Sequence, residues 1–416
     1  MTRSSMSRHS VRPAKKRVSD LALFGSGPAF KDPLHVGRPN IGNRRDFRRR
    51  VDDILDRRWL TNGGPYVEEF ERRVAEFIGV KHCIATCNAT VALGIVIRAL
   101  GLTVEVIVPS FTFVATAHAL QWQGITPVFC DIDPRTHNID HRKVEGLITS
   151  RTSGILGVHL WGRPCPIAQL QTLANRHGLA LLFDAAHAFA CRYRGRRIGG
   201  FGDAEVLSFH ATKFINAGEG GAVVTDDDDL AAEIRLMKNF GFSGFDKVIS
   251  IGINGKMSEL SAAMGLTNLE SVDRFTRINR GNFELYGEGL SNIAGLSVIR
   301  HDEKENSNYQ YVVLEVDAAK ARLTRDQLLA VLQAENVLAR RYFYPGVHRM
   351  EPYCSHFPKA GFRLPITEAV ADRVLVLPTG TGVTKADIRK ICAILRKAVV
   401  QHREVSATLG GQSNPR

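Results

Sequence analysis

Several things are scarce in this sequence, and each absence narrows what it encodes. No run approaches the roughly 18 unbroken apolar residues of a membrane-spanning helix, so no membrane partner is expected. The opening MTRSSMSRHSVRPAKKR holds no apolar stretch of the kind a secretory signal needs. The seven cysteines, Cys83, Cys87, Cys130, Cys165, Cys191, Cys354 and Cys392, are odd in number and show no CxxC pair. That spacing argues against a disulfide framework or a zinc site and fits a reducing cytoplasm. No internal repeat is visible, and apart from the N-terminal arm the one run of like charge, Asp226 to Asp229, reads as a solvated turn opening a helix.

The net charge of +13 is localised. Residues 1–50 hold 13 Lys or Arg against 3 Asp or Glu, a surplus of ten, and the rest is nearly balanced. Such a like-charge block usually forms a solvated, partly disordered tail. Rich in Gly, Pro and Arg, it does not spell a helix-turn-helix, so a nucleic-acid partner is not expected.

A chain of 416 residues suits two unequal domains. Residues 1–43 read as a basic, partly disordered arm, with 1–20 disordered and 21–43 extended. A large domain is expected over 44–271, a smaller α+β domain over 272–405, and a polar tail over 406–416. The large domain opens with a basic amphipathic helix from about Arg44 to Trp59, whose apolar face is Phe47, Val51, Ile54 and Leu55. It then alternates helical patterns with short apolar runs: HCIATC (82–87), VEVIVPS (104–110), TPVFCDI (126–132), GILGVHL (154–160), LALLFDA (179–185), AEVLSFH (204–210) and GAVVT (221–225). Runs this apolar suit strands buried on both faces. Their rhythm implies βαβ units: an α/β fold with a mostly parallel, seven-stranded sheet between helices. In the smaller domain, YQYVVLEVD (309–317) alternates like a half-exposed strand, and 324–337 and 384–400 read as amphipathic helices.

Three features carry chemistry. Asp184 falls where a buried strand ends, and in open α/β sheets ligands gather outside the carboxyl ends of strands. A carboxylate there can hold a proton on a pyridinium nitrogen, or simply cap the next helix. Lys213 lies just past another strand end, 29 residues on, flanked by small and apolar residues and followed by the Gly218-Glu219-Gly220-Gly221 turn. A lysine amine in such a place can form a Schiff base with a carbonyl compound. Asn88, Ala89 and Thr90 open a helix whose free N–H groups suit a phosphate, although an ordinary cap explains them equally well. Ser208 can add a hydroxyl.

Together these segments resemble the sugar aminotransferases of the DegT/DnrJ/EryC1/StrS family, fold type I of the pyridoxal-phosphate enzymes, from about residue 34 to 400. The similarity rests on TNGGPYVEEFE, PSFTFVATAHAL, DIDPRTHNID, VHLWGRPCPI, FDAAHAFACRYRGRRIGGFGDAEVLSFHATK, GEGGAVVTDD, GINGKMSELSAAMGL, RRYFYPGVHRMEPY and LPITEAVADRVLVLP, in the family's order. The resemblance implies pyridoxal 5'-phosphate as cofactor, Lys213 as its Schiff-base lysine and proton shuttle, and Asp184 as partner of the pyridinium. Phe113 would stack on the ring, and Ala89, Thr90 and Ser208 would hold the phosphate. His187 stands where the family more often has Gln, touching the ring hydroxyl. Asn254 would reach the phosphate from a neighbouring subunit, and Lys256 and His348 would meet the nucleotide part of the substrate. Relatives that act as dehydratases carry His in place of the lysine, so Lys213 marks an aminotransferase.

The implied reaction is ping-pong transfer of an amino group from L-glutamate to a dTDP-linked keto-deoxysugar in a homodimer or dimer of dimers. Segments 159–167, 183–189 and 209–214 most resemble the subgroup that aminates C4 of dTDP-4-keto-6-deoxyglucose. Alternatives are C3 amination of a related sugar, a cyclitol ketone as acceptor, or, outside catalysis, a cofactor-binding regulator or a basic nucleic-acid binder, which the arm's lack of a helix-turn-helix disfavours.

Overall fold

The computed structural model describes residues 17–302 and 306–410; most of the stretch expected to be disordered, residues 1–16, lies outside them. Seven strands form one sheet: His82–Thr86 (β1), Glu105–Pro109 (β2), Thr126–Cys130 (β3), Thr152–Val158 (β4), Ala180–Asp184 (β5), Ala204–Ser208 (β6) and Gly221–Thr225 (β7). They fall on the seven apolar runs. Their order is β1-β7-β6-β5-β4-β2-β3, with β7 antiparallel to both neighbours and every other pairing parallel.

Why the runs lack polar alternation is visible in the packing. Successive side chains point to opposite faces, and both faces are core. Val106, Val108, Leu156, Leu182, Val206 and Val223 enter one apolar cluster. Ile107, Ile155, Leu181, Phe183, Leu207 and Val224 enter the other. Helices Arg44–Arg57 (α1), Pro65–Ile78 (α2), Ala89–Ala99 (α3), Ala115–Gln121 (α4), Ile167–His177 (α5), Asp228–Met237 (α6) and Glu259–Leu269 (α7) surround the sheet. Phe70, Leu170 and Leu266 from α2, α5 and α7 complete one cluster. Val96, Leu120 and Ile234 from α3, α4 and α6 complete the other.

Helix α1 follows the expected amphipathic stretch, with two differences. Leu55 is exposed rather than packed, whereas Arg50 is buried. The Arg50 guanidinium donates to Thr267 Oγ1 at 2.8 Å and pairs with Glu270 at 2.6 Å, which satisfies a charge that burial alone would penalise.

A second layer is built on the antiparallel sheet Leu296–Val298 (β8), Val312–Val316 (β9) and Val374–Leu377 (β10). Helix Val272–Leu290 (α8) leads into it, placing Phe275 in the core of the large sheet and Tyr286 and Leu290 in that of the small one. Helices Arg325–Ala334 (α9), Pro365–Arg373 (α10) and Lys385–Val400 (α11) follow, and Thr324 and Thr384 open α9 and α11 with capping boxes. The stretch read as a polar tail is helical through Gly410, as His402–Gly410 (α12), with Val405 buried.

From Leu21 to Leu34 the arm is docked rather than loose. Leu21, Ala29, Phe30 and Leu34 are buried with Leu328, Leu332 and Val337 in the core of the second layer. The Glu335 carboxylate accepts the N–H groups of Ala22 and Ala29 at 2.8 and 2.6 Å. Gly25 ends the single 3-10 turn Ala22–Phe24, and the Gly- and Pro-rich remainder is free of helix, but its few apolar side chains are enough to dock it.

Candidate active site

The parallel strands all end on one edge of the large sheet, and β7 begins there. Asp184 pairs with Val158, and Gly221 lies between Ser208 and Thr86. Helix α3 starts beside Gly221. Its N-cap, Asn88, is extended (φ −164°) and its side chain accepts from Val91 N–H at 2.9 Å. The N–H groups of Ala89 and Thr90, first in the helix, have no intrahelical acceptor. A Cβ on Gly221 would stand 2.5 Å from Ala89 N, so any side chain there would push the strand off the helix start. Ser208 is buried alongside.

Asp184 is buried at the end of β5. Its Oδ2 accepts the Thr116 hydroxyl at 2.9 Å and its Oδ1 accepts Ala186 N–H at 3.0 Å. Each oxygen keeps a lone pair for a further donor. Thr116 was not anticipated as a site residue: it stands in the PSFTFVATAHAL segment, but nothing in the sequence shows that its hydroxyl meets a carboxylate 68 residues away.

Lys213 stands in the turn between β6 and β7. The turn is closed by Phe209 N–H to Gly220 O and Ala217 N–H to Phe209 O, both at 2.8 Å, and Lys213 N–H donates to His210 O at 2.9 Å. Burial pushes the ammonium down from 10.5 to about 8, against the pull of the Asp184 carboxylate. A sizeable fraction of the amine is therefore neutral near physiological pH.

His187 is buried, and its Nδ1 accepts Trp161 N–H at 3.1 Å. Burial, and then the positive charge of Lys213, holds the imidazole well below its ordinary value of 6.5. The ring is neutral with its proton on Nε2, which makes that atom a donor. It packs against Tyr311 at 4.4 Å and stacks on Phe343 at 5.9 Å between centroids. Phe113 is 54% exposed, with its ring 6.3 Å from that of Phe343. His159 and Trp161, in the segment 159–167, are both fully buried.

Three expected residues sit differently. Asn254 is exposed, and its segment runs beside the start of α3 in its own chain: Lys256 bridges to Thr86, and Gly255 O accepts Cys87 N–H at 2.7 Å. Distance along the chain therefore does not separate Asn254 from its own subunit's helix start. The Lys256 ammonium lies 4.7 Å from the centre of the Phe240 ring. His348 is buried with both ring nitrogens engaged, Nδ1 on Ser110 Oγ at 2.6 Å and Nε2 on Glu368 at 3.2 Å. That ring has no free nitrogen to offer a nucleotide.

The edge of the sheet thus combines an amine of lowered basicity, a buried carboxylate, an imidazole N–H donor, an exposed aromatic face and a helix start with unpaired N–H groups. An aromatic aldehyde with a basic ring nitrogen and a phosphate matches this set group for group.

Known proteins agree. The model of the DegT/DnrJ/EryC1/StrS aminotransferase family matches residues 42–396. The chain is 37% identical over 368 residues to an Escherichia coli dTDP-4-amino-4,6-dideoxy-D-glucose transaminase, covering 87% of this chain and 98% of the other. It is also 37% identical over 372 residues to a GDP-perosamine synthase of Caulobacter vibrioides, covering 88% and 98%. Among solved structures it superposes with a TM-score of 0.89 on DesI crystallised in the presence of its TDP-sugar product, at 51% identity over 94% of this chain and 100% of that one. The Helicobacter pylori aminotransferase PseC, involved in the biosynthesis of pseudoaminic acid, gives a TM-score of 0.83 at 27% identity, covering 89% and 100%. With its lysine turn, strand-end carboxylate and seven-stranded sheet, the chain belongs to the DegT/DnrJ/EryC1/StrS aminotransferase family.

Proposed function

We propose that this pyridoxal-phosphate enzyme aminates C4 of dTDP-4-keto-6-deoxyglucose, giving dTDP-4-amino-4,6-dideoxyglucose, with L-glutamate as amino donor. The observation that carries the chemistry is Lys213, brought to about 8 in a closed turn within the field of Asp184. The thymidine nucleotide is supported by the 51% identity to DesI, whose structure was determined with a TDP-sugar product.

On this reading the lysine amine bonds the cofactor aldehyde and, when released, moves a proton at the reacting carbon. Bound there, pyridoxal phosphate supplies the electron sink for that proton's departure. Asp184 keeps the ring nitrogen protonated, Nε2–H of His187 donates toward the ring hydroxyl, and Phe113 covers the ring face. The N–H groups of Ala89 and Thr90 and the hydroxyls of Thr90 and Ser208 hold the phosphate. His348 acts through Ser110, which directly precedes the Phe111–Phe113 segment, rather than by touching the nucleotide.

We place the subunit interface on the apolar segment 240–253. Phe245, Ile251 and Val248 are 98%, 71% and 58% exposed, and Trp122 nearby is 93% exposed. Ile251 and Trp122, with Val91, Ile95 and Ile253, border a groove of about 1330 Å³ along α3. Apolar surface of this extent marks an association site, and a two-fold axis there would carry Asn254 to the partner's phosphate and Lys256 toward its nucleotide. A homodimer or dimer of dimers in the cytoplasm follows, consistent with seven unpaired cysteines. Among the described residues no helix is long and apolar enough to cross a membrane.

The test is incubation of purified protein with pyridoxal phosphate, glutamate and a panel of dTDP- and GDP-linked 4-keto and 3-keto sugars, with products identified by NMR. The 4-amino dTDP sugar is expected, and its absence from the Lys213→Ala reaction. Amination at C3, or preference for the GDP sugar, overturns the acceptor assignment. Borohydride trapping at another lysine overturns the site.

A further inference from the structure

The chain leading into β9 touches both loops that carry the site's nitrogen groups. Asn308 Nδ2 donates to His187 O at 2.9 Å and to Phe189 O at 3.0 Å. Two residues on, Gln310 Nε2 donates to Thr212 O at 3.1 Å, the carbonyl of the peptide whose N–H belongs to Lys213. The next residue, Tyr311, lies against the His187 ring. All three are buried.

Gln310 is itself held. Its Oε1 accepts from Asn279 Nδ2 at 3.0 Å and from Asn40 Nδ2 at 3.5 Å, and its N–H donates to Asn308 Oδ1 at 3.0 Å. Asn40 Nδ2 also donates to Phe214 O at 3.1 Å, on the other side of Lys213. Asn216 Nδ2 donates to Asn40 O at 2.8 Å, and Asn268 Nδ2 donates to Asn216 O at 2.7 Å. The carbonyls of residues 212, 214 and 216 are thus each taken by a buried side-chain amide from outside the turn. Every one of these side chains is neutral. The network fixes the backbone on both sides of Lys213 without setting a charge beside its amine, which a carboxylate or guanidinium in the same place would do.

We propose that Gln310 is a positioning residue for Lys213, fixing the peptide from which the lysine side chain swings and coupling that peptide to the small sheet. This rests on the assignment of Lys213 above. Removing the Gln310 donor leaves Thr212 O buried without a partner and frees the turn. A displacement of about 1 Å at a reacting group costs about 10²-fold in rate.

The full-length protein stripped of cofactor gives a readout independent of turnover. In Gln310→Leu, amide hydrogen exchange over residues 209–217 is expected to accelerate about tenfold or more, while β10 keeps wild-type exchange. With cofactor restored, kcat falls up to about 10²-fold and KM for the nucleotide sugar holds. Gln310→Glu is expected to shift the pH midpoint at which the protein captures pyridoxal phosphate upward, because it adds a negative charge near the amine; Gln310→Leu leaves that midpoint near the wild-type value. Should Gln310→Leu not fold, Gln310→His, which retains one donor, is read for the same local exchange. Wild-type exchange over 209–217 with unchanged kcat overturns the proposal, as does acceleration spread evenly over the small sheet. If wild-type protein captures the cofactor at another lysine, the function above fails, yet the exchange result still reports whether Gln310 fixes this turn.

Discussion

Replacing Asp184 with Asn is expected to produce two effects of opposite sign. In the wild type the Lys213 ammonium titrates at about 8 rather than 10.5. At pH 7 about a tenth of the amine is neutral, against about three parts in ten thousand for an ordinary lysine, a gain of about 300-fold in nucleophile. Burial produces the shift, and the Asp184 carboxylate opposes it. The Asn side chain is nearly isosteric and can still accept from Ala186 N–H, so the fold should hold. With the opposing charge gone, the midpoint for capture of pyridoxal phosphate should fall below 8. Turnover should nevertheless drop by about 10³-fold or more, because an amide cannot stabilise a protonated ring nitrogen, and such preorganised partners are usually worth that much. Stopped-flow absorbance of the full-length protein mixed with pyridoxal phosphate, followed across pH, reads the first effect, and kcat reads the second. An upward shift of the midpoint, or near-normal turnover, would refute the assignment and leave Asp184 a residue that only closes the turn after β5. The same titration sets a stability trend. Between about 8 and 10.5 the unfolded lysine binds a proton that the folded one does not, so cofactor-free protein should become more stable as pH rises through that window.

Mixed dimers of Lys213→Ala with Asn254→Ala should regain activity if Asn254 serves the partner, because one of the two sites is then fully wild type; no recovery means that it serves its own chain. Charge reversal at the exposed Arg48 and Arg49 of α1 should raise KM for the dianionic nucleotide sugar more than for glutamate, and the effect should shrink in high salt; a salt-independent loss would indicate a structural contact instead. Deleting residues 1–16 should leave kinetic constants unchanged, whereas Leu21→Ala should destabilise by about 3 kcal/mol in urea unfolding, since Leu21 is fully buried. An unchanged midpoint for Leu21→Ala would mean that the docked segment contributes nothing to the small core. His187→Gln should retain most activity because the amide keeps a donor, and His187→Phe should not; equal rates would remove the ring-hydroxyl contact from the scheme.

The strands and the reacting groups were legible because both rest on local pattern. A strand buried on two faces must be apolar throughout; Asp184 ends one such strand and Lys213 follows another in its turn. Partnerships across the chain were not legible. Gln310 and Thr212 are 98 residues apart, and Gln310 alternates in sequence like any strand residue with an exposed face. His348 was placed against the nucleotide by resemblance, while its burial depends on Ser110, 238 residues away. The segment from Leu21 to Leu34 reads as loose because its turns are conspicuous and its four docking side chains are widely spaced. The acceptor of its N–H groups, Glu335, comes from the far end of the chain.

The polypeptide passes from one layer to the other after Leu34 and again along α8. Both passages run close to the lysine turn. Gly37 lies against Thr212, where an added Cβ would be 2.8 Å from the threonine Cβ, and Asn279 in the middle of α8 bonds the side chain that holds Thr212 O. The reacting lysine thus stands where the two layers are joined covalently, so the chemistry is anchored at the seam of the fold rather than on a loop remote from it.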